Sequence, residues 1–174
     1  PDPRLGLFVG ANEIASNNDW SPDDGRSLGA FSLVGGSRDS VLVSILSAQA
    51  FTAQVTGVGG AVGETLVELY DASPSNLALR LVNLSVRSQL DDSQRLIVGL
   101  TISGRTSTRL LLRAVGPTLA AFGVGSAHPD PELRLYSGET LIAQNDQWRG
   151  DDGSGSGAFP LVAGSNDAAL VFPM

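Results

Sequence analysis

The 174-residue chain contains no cysteine and no lysine. Without cysteine it cannot form a disulfide, a thiolate metal site or a Cys nucleophile. Without lysine it cannot form a Schiff base or supply the lysine of a phosphate-binding P-loop. The single histidine, His128, leaves no His-based metal cluster, and we expect it in a linker. These absences exclude catalysis and cofactor binding that depend on a thiol, a lysine amine or a cluster of histidines.

Long apolar runs are also missing, so no membrane span is predicted. The first residues, PDPR, do not resemble a signal peptide, and we interpret the chain as a mature or excised segment. Charged residues are few, at 17%, while 42% are hydrophobic, which favours a folded domain over disorder. The net charge of −7 would repel a phosphate backbone, so nucleic acid is not an expected partner.

The two ends of the chain resemble each other. Residues 1–46 align without a gap on residues 129–174, and half of the aligned positions are identical. The offset of 129 − 1 = 128 residues indicates an internal repeat, so the chain spans roughly one and a third periods. We predict two domains: residues 1–76 are the C-terminal part of one sandwich repeat, and residues 77–174 are the N-terminal part of the next.

Short blocks of alternating apolar and polar residues recur between glycines and prolines, as in strands with one buried face. Strands are predicted at residues 5–8, 13–16, 40–45, 51–55, 65–70, 79–86, 96–102, 109–115, 133–136, 141–144 and 168–172. Residues 117–123 begin with Pro and end with Gly, which predicts one helical turn. The pattern favours an all-β fold, an antiparallel β-sandwich of jelly-roll type.

The apolar residues of the two 46-residue segments define the predicted core. We expect the following side chains to be buried: Leu5, Leu7, Ile14, Phe31, Leu33 and Leu42, together with Leu133, Leu135, Ile142, Phe159, Leu161 and Leu170. Half-identity without gaps also predicts that the two segments follow the same strand paths.

Several motifs resemble an uncharacterised repeat domain of very large secreted bacterial proteins. They lie at residues 51–57, 66–71, 81–87, 99–104, 112–119, 145–148 and 164–170. The Pro-Asp-Pro, Asn-Asp-x-Trp and FTAQVTG motifs are also similar to the pre-peptidase C-terminal (PPC-like) sandwich domains of exported hydrolases. The resemblance implies an extracellular β-sandwich module without catalytic activity of its own.

Two acidic loops are candidate calcium sites. Ca²⁺ binds about six to eight oxygen ligands, and carboxylates and Asn side chains are concentrated here, although the spacing is not that of an EF-hand. The candidate ligands are Asn17, Asp19, Asp23 and Asp24 in the first loop and Asn145, Asp146, Asp151 and Asp152 in the second. The alternative is that these side chains cap tight turns through the backbone.

Trp20 and Trp148 each lie beside an acidic loop and are candidate platforms for stacking a sugar ring. The alternative is that each indole packs over the end of the sandwich. The glycine-rich residues 57–63 lack a following Lys-Ser/Thr pair, so they predict a hairpin loop and not a phosphate site.

The sequence supports two functions. The first is a non-catalytic structural module, the repeating subunit of a cell-surface fibre or filament whose copies assemble head-to-tail by β-strand complementation. Its partners would be copies of itself or neighbouring repeats. The second is a carbohydrate- or matrix-binding accessory domain of an exported hydrolase, with a polysaccharide as the partner. No nucleophile–base pair indicates an enzyme.

Overall fold

A computed structural model of the chain describes residues 2–21, 31–71, 81–90, 94–150 and 156–174. Within these ranges the regular elements are almost entirely strands, and every strand pairing is antiparallel. The strands are β1 (Pro3–Val9), β2 (Asn12–Asn17), β3 (Thr52–Gly57), β4 (Arg109–Ala114), β5 (Leu133–Ser137), β6 (Thr140–Asn145) and β7 (Ala168–Pro173). Val58–Gly60 and Pro117–Phe122 form short 3-10 helices. The predicted all-β class is confirmed.

The chain divides into two compact units, Pro1–Ser85 (unit 1) and Val86–Met174 (unit 2). The domain boundary expected between residues 76 and 77 falls within residues 72–80, which lie outside the described part of the chain.

Unit 1 contains a three-stranded sheet in the order β2-β1-β3. β1 and β2 form a hairpin whose loop begins at Gly10 with φ of 58°, a conformation that glycine adopts without steric cost. β1 pairs on its other edge with β3, from Pro3 opposite Gly57 to Phe8 opposite Thr52. β1 is therefore the central strand of this sheet.

Unit 2 contains two two-stranded sheets, β5-β6 and β4-β7. The β5-β6 hairpin repeats the β1-β2 hairpin in detail: its loop begins at Gly138 with φ of 57°, and its register shifts after Leu135 as that of β1 shifts after Leu7. β4 and β7 pair from Arg109 opposite Pro173 to Ala114 opposite Ala168. The two 46-residue segments thus share a hairpin but differ in the strands that surround it.

Four of the predicted strands are wrong over the residues that the structure describes. Residues 40–45, 65–70, 81–86 and 96–102 form no strand, and residues 79 and 80 lie outside the described ranges. Alternation shows only that a segment can form a strand, whereas a strand also needs a partner for its backbone hydrogen bonds. Residues 40–45 align with β7, but β7 pairs with β4, and no described strand pairs with residues 40–45.

The predicted core is confirmed only in part. Leu135 and Leu161 are buried, with 7% and 6% of their surface exposed. The remaining leucines of the predicted set are half-buried. The prediction is wrong for Ile14, Phe31, Ile142 and Phe159, which are exposed. Ile14 and Ile142 lie on β2 and β6, and each of these strands pairs with one other strand within the described ranges. A second layer over them would be needed to bury the two side chains.

Candidate functional site

The best-defined polar site of unit 2 is a network of Trp148, Ser165 and Asp167. The indole Nε1 of Trp148 donates to Ser165 Oγ at 3.1 Å, and that hydroxyl donates to Asp167 Oδ2 at 2.5 Å. The backbone closes the same loop, because Trp148 N–H donates to the carbonyl of Asp167 at 2.8 Å. The network ties the loop after β6 to the residue that precedes β7.

Asp167 is fully buried, and the turn that follows β4 supplies its remaining partners. Gly116 N–H donates to Oδ1 at 2.7 Å, and Thr118 Oγ1 donates to Oδ2 at 2.5 Å. The Thr118 hydroxyl also accepts from Val162 N–H at 2.8 Å. A carboxylate with this many donors is satisfied in its ionised form although it is out of contact with water.

The environment of Asp167 acts on its pKa in two opposing ways. Burial disfavours the charged carboxylate and by itself raises the pKa. Hydrogen bonds from the Ser165 and Thr118 hydroxyls and from the Gly116 and Thr118 amides favour the charged form. The hydrogen bonds outweigh burial, so the pKa of Asp167 is held below its ordinary value of 3.8. Asp167 therefore works as an anionic anchor, not as a proton donor near neutral pH.

The strand and turn that supply donors to Asp167 also contact Phe159. The Arg113 guanidinium lies 4.4 Å from the centre of the Phe159 ring and donates to the Phe159 carbonyl at 2.8 Å. Phe122 meets the same ring edge-on, with 5.1 Å between ring centres. Arg113, Gly116, Thr118 and Phe122 all belong to residues 109–122, here named the β4–turn segment. This one segment therefore holds Asp167, Phe159 and β7 together.

Unit 1 contains the same network without the β4–turn segment. Trp20 Nε1 donates to Ser37 Oγ at 3.1 Å, Ser37 Oγ donates to Asp39 Oδ2 at 2.5 Å, and Trp20 N–H donates to the Asp39 carbonyl at 2.8 Å. Among the residues that the structure describes, none takes the place of Gly116 or Thr118 against Asp39. Asp39 is accordingly half-buried where Asp167 is fully buried.

Of these six residues, the sequence pattern singled out Trp20 and Trp148, as sugar-stacking candidates, and it did not predict the network. The signal was available, because Trp, Ser and Asp recur at the same spacing in both segments. Both tryptophans are half-buried with the indole N–H bonded to serine. Sugar stacking at Trp20 and Trp148 stays a prediction, and their observed partners are those of a structural network.

Four of the eight candidate calcium ligands lie in the described part of the chain. Asn17 Oδ1 accepts from Val41 N–H at 3.2 Å, and Asn145 Oδ1 accepts from Ala169 N–H at 3.0 Å. Asp19 and Asp146 are exposed in the loops that follow. Asp23, Asp24, Asp151 and Asp152 lie outside the described residues. Among the residues searched, no group of three or more His, Asp or Glu side chains is close enough to hold a metal ion. Calcium binding stays a prediction.

Two concave regions of unit 2 border the β5-β6 hairpin. A polar recess of about 230 Å³ is lined by Asn145, Asp146 and neighbours that include Arg149, whose positive charge opposes a bound cation. A cleft of about 680 Å³ runs between residues 97–106 and the hairpin, where Leu135, Tyr136 and Ile142 line it. In unit 1 the strand equivalent to β5 has β3 along its second edge, whereas among the described strands β5 itself pairs with β6 alone.

Comparison of the chain with protein-family models, with curated proteins and with solved structures finds no match. In the part of the chain that was searched, no helix is long and apolar enough to cross a membrane.

Proposed function

We propose that the chain is a non-catalytic, extracellular structural module of a repeating β-sandwich, and that copies of the repeat complete one another's sheets head-to-tail. A surface fibre or filament is the assembly that this arrangement would build. The observation that carries the proposal is the reciprocal difference between two similar units. Unit 1 has the strand β3 beside its hairpin, and unit 2 has β4 beside its last strand.

A complete repeat would combine the strand pairing seen in unit 1 with the strand pairing seen in unit 2. The hairpin would be flanked by a β3-type strand on one side, as in unit 1, and the β7-type strand would be paired with a β4-type strand, as in unit 2. A β-sandwich built on a 128-residue repeat would contain both. Strand addition of this kind gains main-chain hydrogen bonds together with burial of alternate side chains.

The exposed apolar side chains of unit 1 support the same proposal. Val43 and Ile45, in the segment aligned with β7, have 57% and 103% of their reference surface exposed. Their β7 equivalents, Val171 and Pro173, lie in a strand that β4 covers along one edge. Exposed apolar residues next to unpaired backbone groups favour association with a further strand.

The numbers of segments in the sequence support neighbouring copies of the repeat as the source of the additional strands. The sequence holds two 46-residue segments but only one β3 and one β4–turn segment. Both of these are already paired within the chain, β3 with β1 and β4 with β7. Completing both units therefore takes one further copy of each segment. Neighbouring copies of the repeat are the source that we propose, and the contact is heterologous because donor and acceptor differ.

The proposal can be tested by extending the full chain at both ends. Residues 105–128 are repeated before Pro1, and residues 47–71 are repeated after Met174, so that each added segment has the spacing it has in the chain. We expect the original chain to self-associate with rising concentration in sedimentation velocity. We expect the extended chain to remain monomeric and to melt at a higher temperature, because both units are completed within one molecule.

A matched control carries extensions of the same composition in shuffled order. If the original chain stays monomeric at micromolar concentration, and the correct and shuffled extensions give the same melting temperature, the proposed function is wrong. Increased stability and loss of association with the correct extension alone would support it.

A further inference from the structure

One surface of unit 1 matches the surface of unit 2 that is covered by the β4–turn segment. We name it the receptor face, and it consists of Phe31, Val34, Asp39 and residues 40–46. These positions align without a gap on Phe159, Val162, Asp167 and residues 168–174. Phe, Val and Asp are identical in the two sets, so the groups that hold the segment in unit 2 are present in unit 1.

The polar groups of the receptor face match those that the β4–turn segment uses. In unit 2, Asp167 accepts from Gly116 and Thr118, and Val162 N–H donates to Thr118 Oγ1. In unit 1, Asp39 accepts from Ser37, as Asp167 accepts from Ser165. Ser37 N–H also bonds the Val34 carbonyl, as Ser165 N–H bonds that of Val162, so the loop carrying these groups turns in the same way.

The apolar groups of the receptor face also correspond. Phe159 is covered on one side by Arg113 and at its edge by Phe122, and 42% of its surface stays exposed. Phe31 has 58% of its surface exposed. Residues 40–46 are held at their start, where the single hydroxyl proton of Ser40 is shared between the carbonyls of Pro3 and Asn18, and Val41 N–H donates to Asn17 Oδ1. The segment is thus positioned beside the hairpin, as β7 is in unit 2.

We infer that the receptor face of unit 1 binds the β4–turn segment of a neighbouring copy of the repeat, with Asp39 accepting the Gly116 and Thr118 donors of that copy. This inference rests on the proposed function and names its partner. The strand Arg109–Ala114 would pair antiparallel with residues 40–45, in the register that β4 and β7 adopt. Arg113 would cover Phe31 as it covers Phe159.

The test uses the full chain and a synthetic, fluorescently labelled peptide of residues 105–123, RTSTRLLLRAVGPTLAAFG. Fluorescence anisotropy is measured at protein concentrations below those at which the chain associates. We expect saturable binding of one peptide per chain. A peptide with Thr118→Val keeps the shape of the side chain but loses the hydroxyl donor, and we expect it to bind at least tenfold more weakly. This comparison leaves the protein unchanged, so it does not depend on the folding of a variant.

Two protein variants locate the bound peptide. We expect Asp39→Asn to weaken binding at least tenfold, because Asp39 is the acceptor for Gly116 and Thr118. Asp19→Asn makes the same charge change at an exposed residue of unit 1 and should leave binding unchanged. Circular dichroism of each variant shows whether unit 1 keeps its strands.

Other results would overturn the inference. The inference is wrong if the peptide fails to bind, or if the Thr118→Val peptide binds equally well. It is also wrong if Asp167→Asn weakens binding and Asp39→Asn does not, because the peptide would then be bound in unit 2. A chain that self-associates but does not bind the peptide would overturn this inference while leaving the proposed function standing. A chain that binds the peptide at Asp39, but stays monomeric and melts at the same temperature with the correct and the shuffled extensions, would overturn the proposed function and leave the binding face standing.

Discussion

At the scale of single residues, Asp167 joins three parts of unit 2 that are distant in sequence. Its carboxylate receives donors from Ser165 two residues away and from Gly116 and Thr118 about fifty residues away. Asp39 accepts from Ser37, which corresponds to Ser165, and no described residue supplies donors equivalent to Gly116 and Thr118. The two aspartates occupy equivalent positions in different environments, so their contributions to the free energy of unfolding can be compared.

We expect Asp167→Asn to lower the free energy of unfolding of unit 2 by about 2–3 kcal/mol, because it removes the charge from several buried hydrogen bonds. Asp39→Asn is the matched control and should cost less than about 1 kcal/mol, because Asp39 is half-buried and, among the described residues, Ser37 is its one side-chain donor. Urea denaturation followed by circular dichroism measures both. An equal loss of unfolding free energy in the two variants would show that the hydrogen bonds from the β4–turn segment to Asp167 add no stability.

The stability that Asp167 contributes should depend on pH. Its folded-state pKa is lower than the ordinary value of 3.8, so the unfolded chain binds the proton more readily. The contribution is therefore complete above the ordinary value and is lost as pH falls through the folded-state pKa. We expect the difference in stability between the original chain and Asp167→Asn to be constant from neutral pH to about pH 5 and to shrink below pH 4. A difference that does not change on acidification would contradict this assignment.

At the scale of elements, the turn between β4 and the helix Pro117–Phe122 positions the donors of Asp167. Pro117 begins the helix, and Gly123 ends it in the left-handed conformation, with φ of 81°. Gly116 lies so close to the next segment that a Cβ atom on it would be 2.1 Å from the His128 carbonyl oxygen. The turn therefore requires glycine for space, as the helix end requires it for conformation.

We expect Gly116→Ala to destabilise unit 2 by about 1–3 kcal/mol, since backbone must move to admit the methyl group. Gly125→Ala is the matched control, because nothing lies within 4 Å of a Cβ at Gly125. The two melting temperatures, measured under the same conditions, should separate the variants. A melting temperature for Gly116→Ala as high as that of the control would show that this turn is not packed against His128.

The sequence predicts the hairpins, β3, β4 and the turn at residues 117–123, because alternation and Gly or Pro punctuation act locally. It does not predict that residues 40–45 lack the strand that Ala168–Pro173 forms. The two segments share Leu and Val at their centres, and what separates them is a partner more than fifty residues from either. Local patterns carry no information about such a partner.

The same limit applies to the candidate site. Trp20 and Trp148 were predicted as stacking platforms from their place beside acidic loops, and the calcium candidates from their oxygen atoms. The structure shows that the indoles bond to Ser37 and Ser165 and that Asn17 and Asn145 bond to backbone amides. Residue type and spacing do not distinguish a ligand-binding side chain from one that bonds within its own fold.

At the scale of the whole molecule, the chain holds two similar units, and in its described part each unit has a strand with no equivalent in the other. β3 completes the hairpin sheet in unit 1, and β4 covers the last strand in unit 2. A repeat whose neighbouring copies supply both strands accounts for this reciprocity and for the exposed apolar residues of the receptor face. We therefore expect residues 40–45 to become a strand when a neighbouring copy binds.

Hydrogen exchange followed by mass spectrometry, at low and at high concentration of the full chain, tests this claim most directly. Ala168–Pro173 should be protected at both concentrations, because β4 pairs with it inside the chain. Residues 40–45 should exchange rapidly when dilute and at least tenfold more slowly when concentrated. If residues 40–45 exchange at the same rapid rate at both concentrations while the chain self-associates, the copies assemble by other contacts and strand complementation at this face is contradicted.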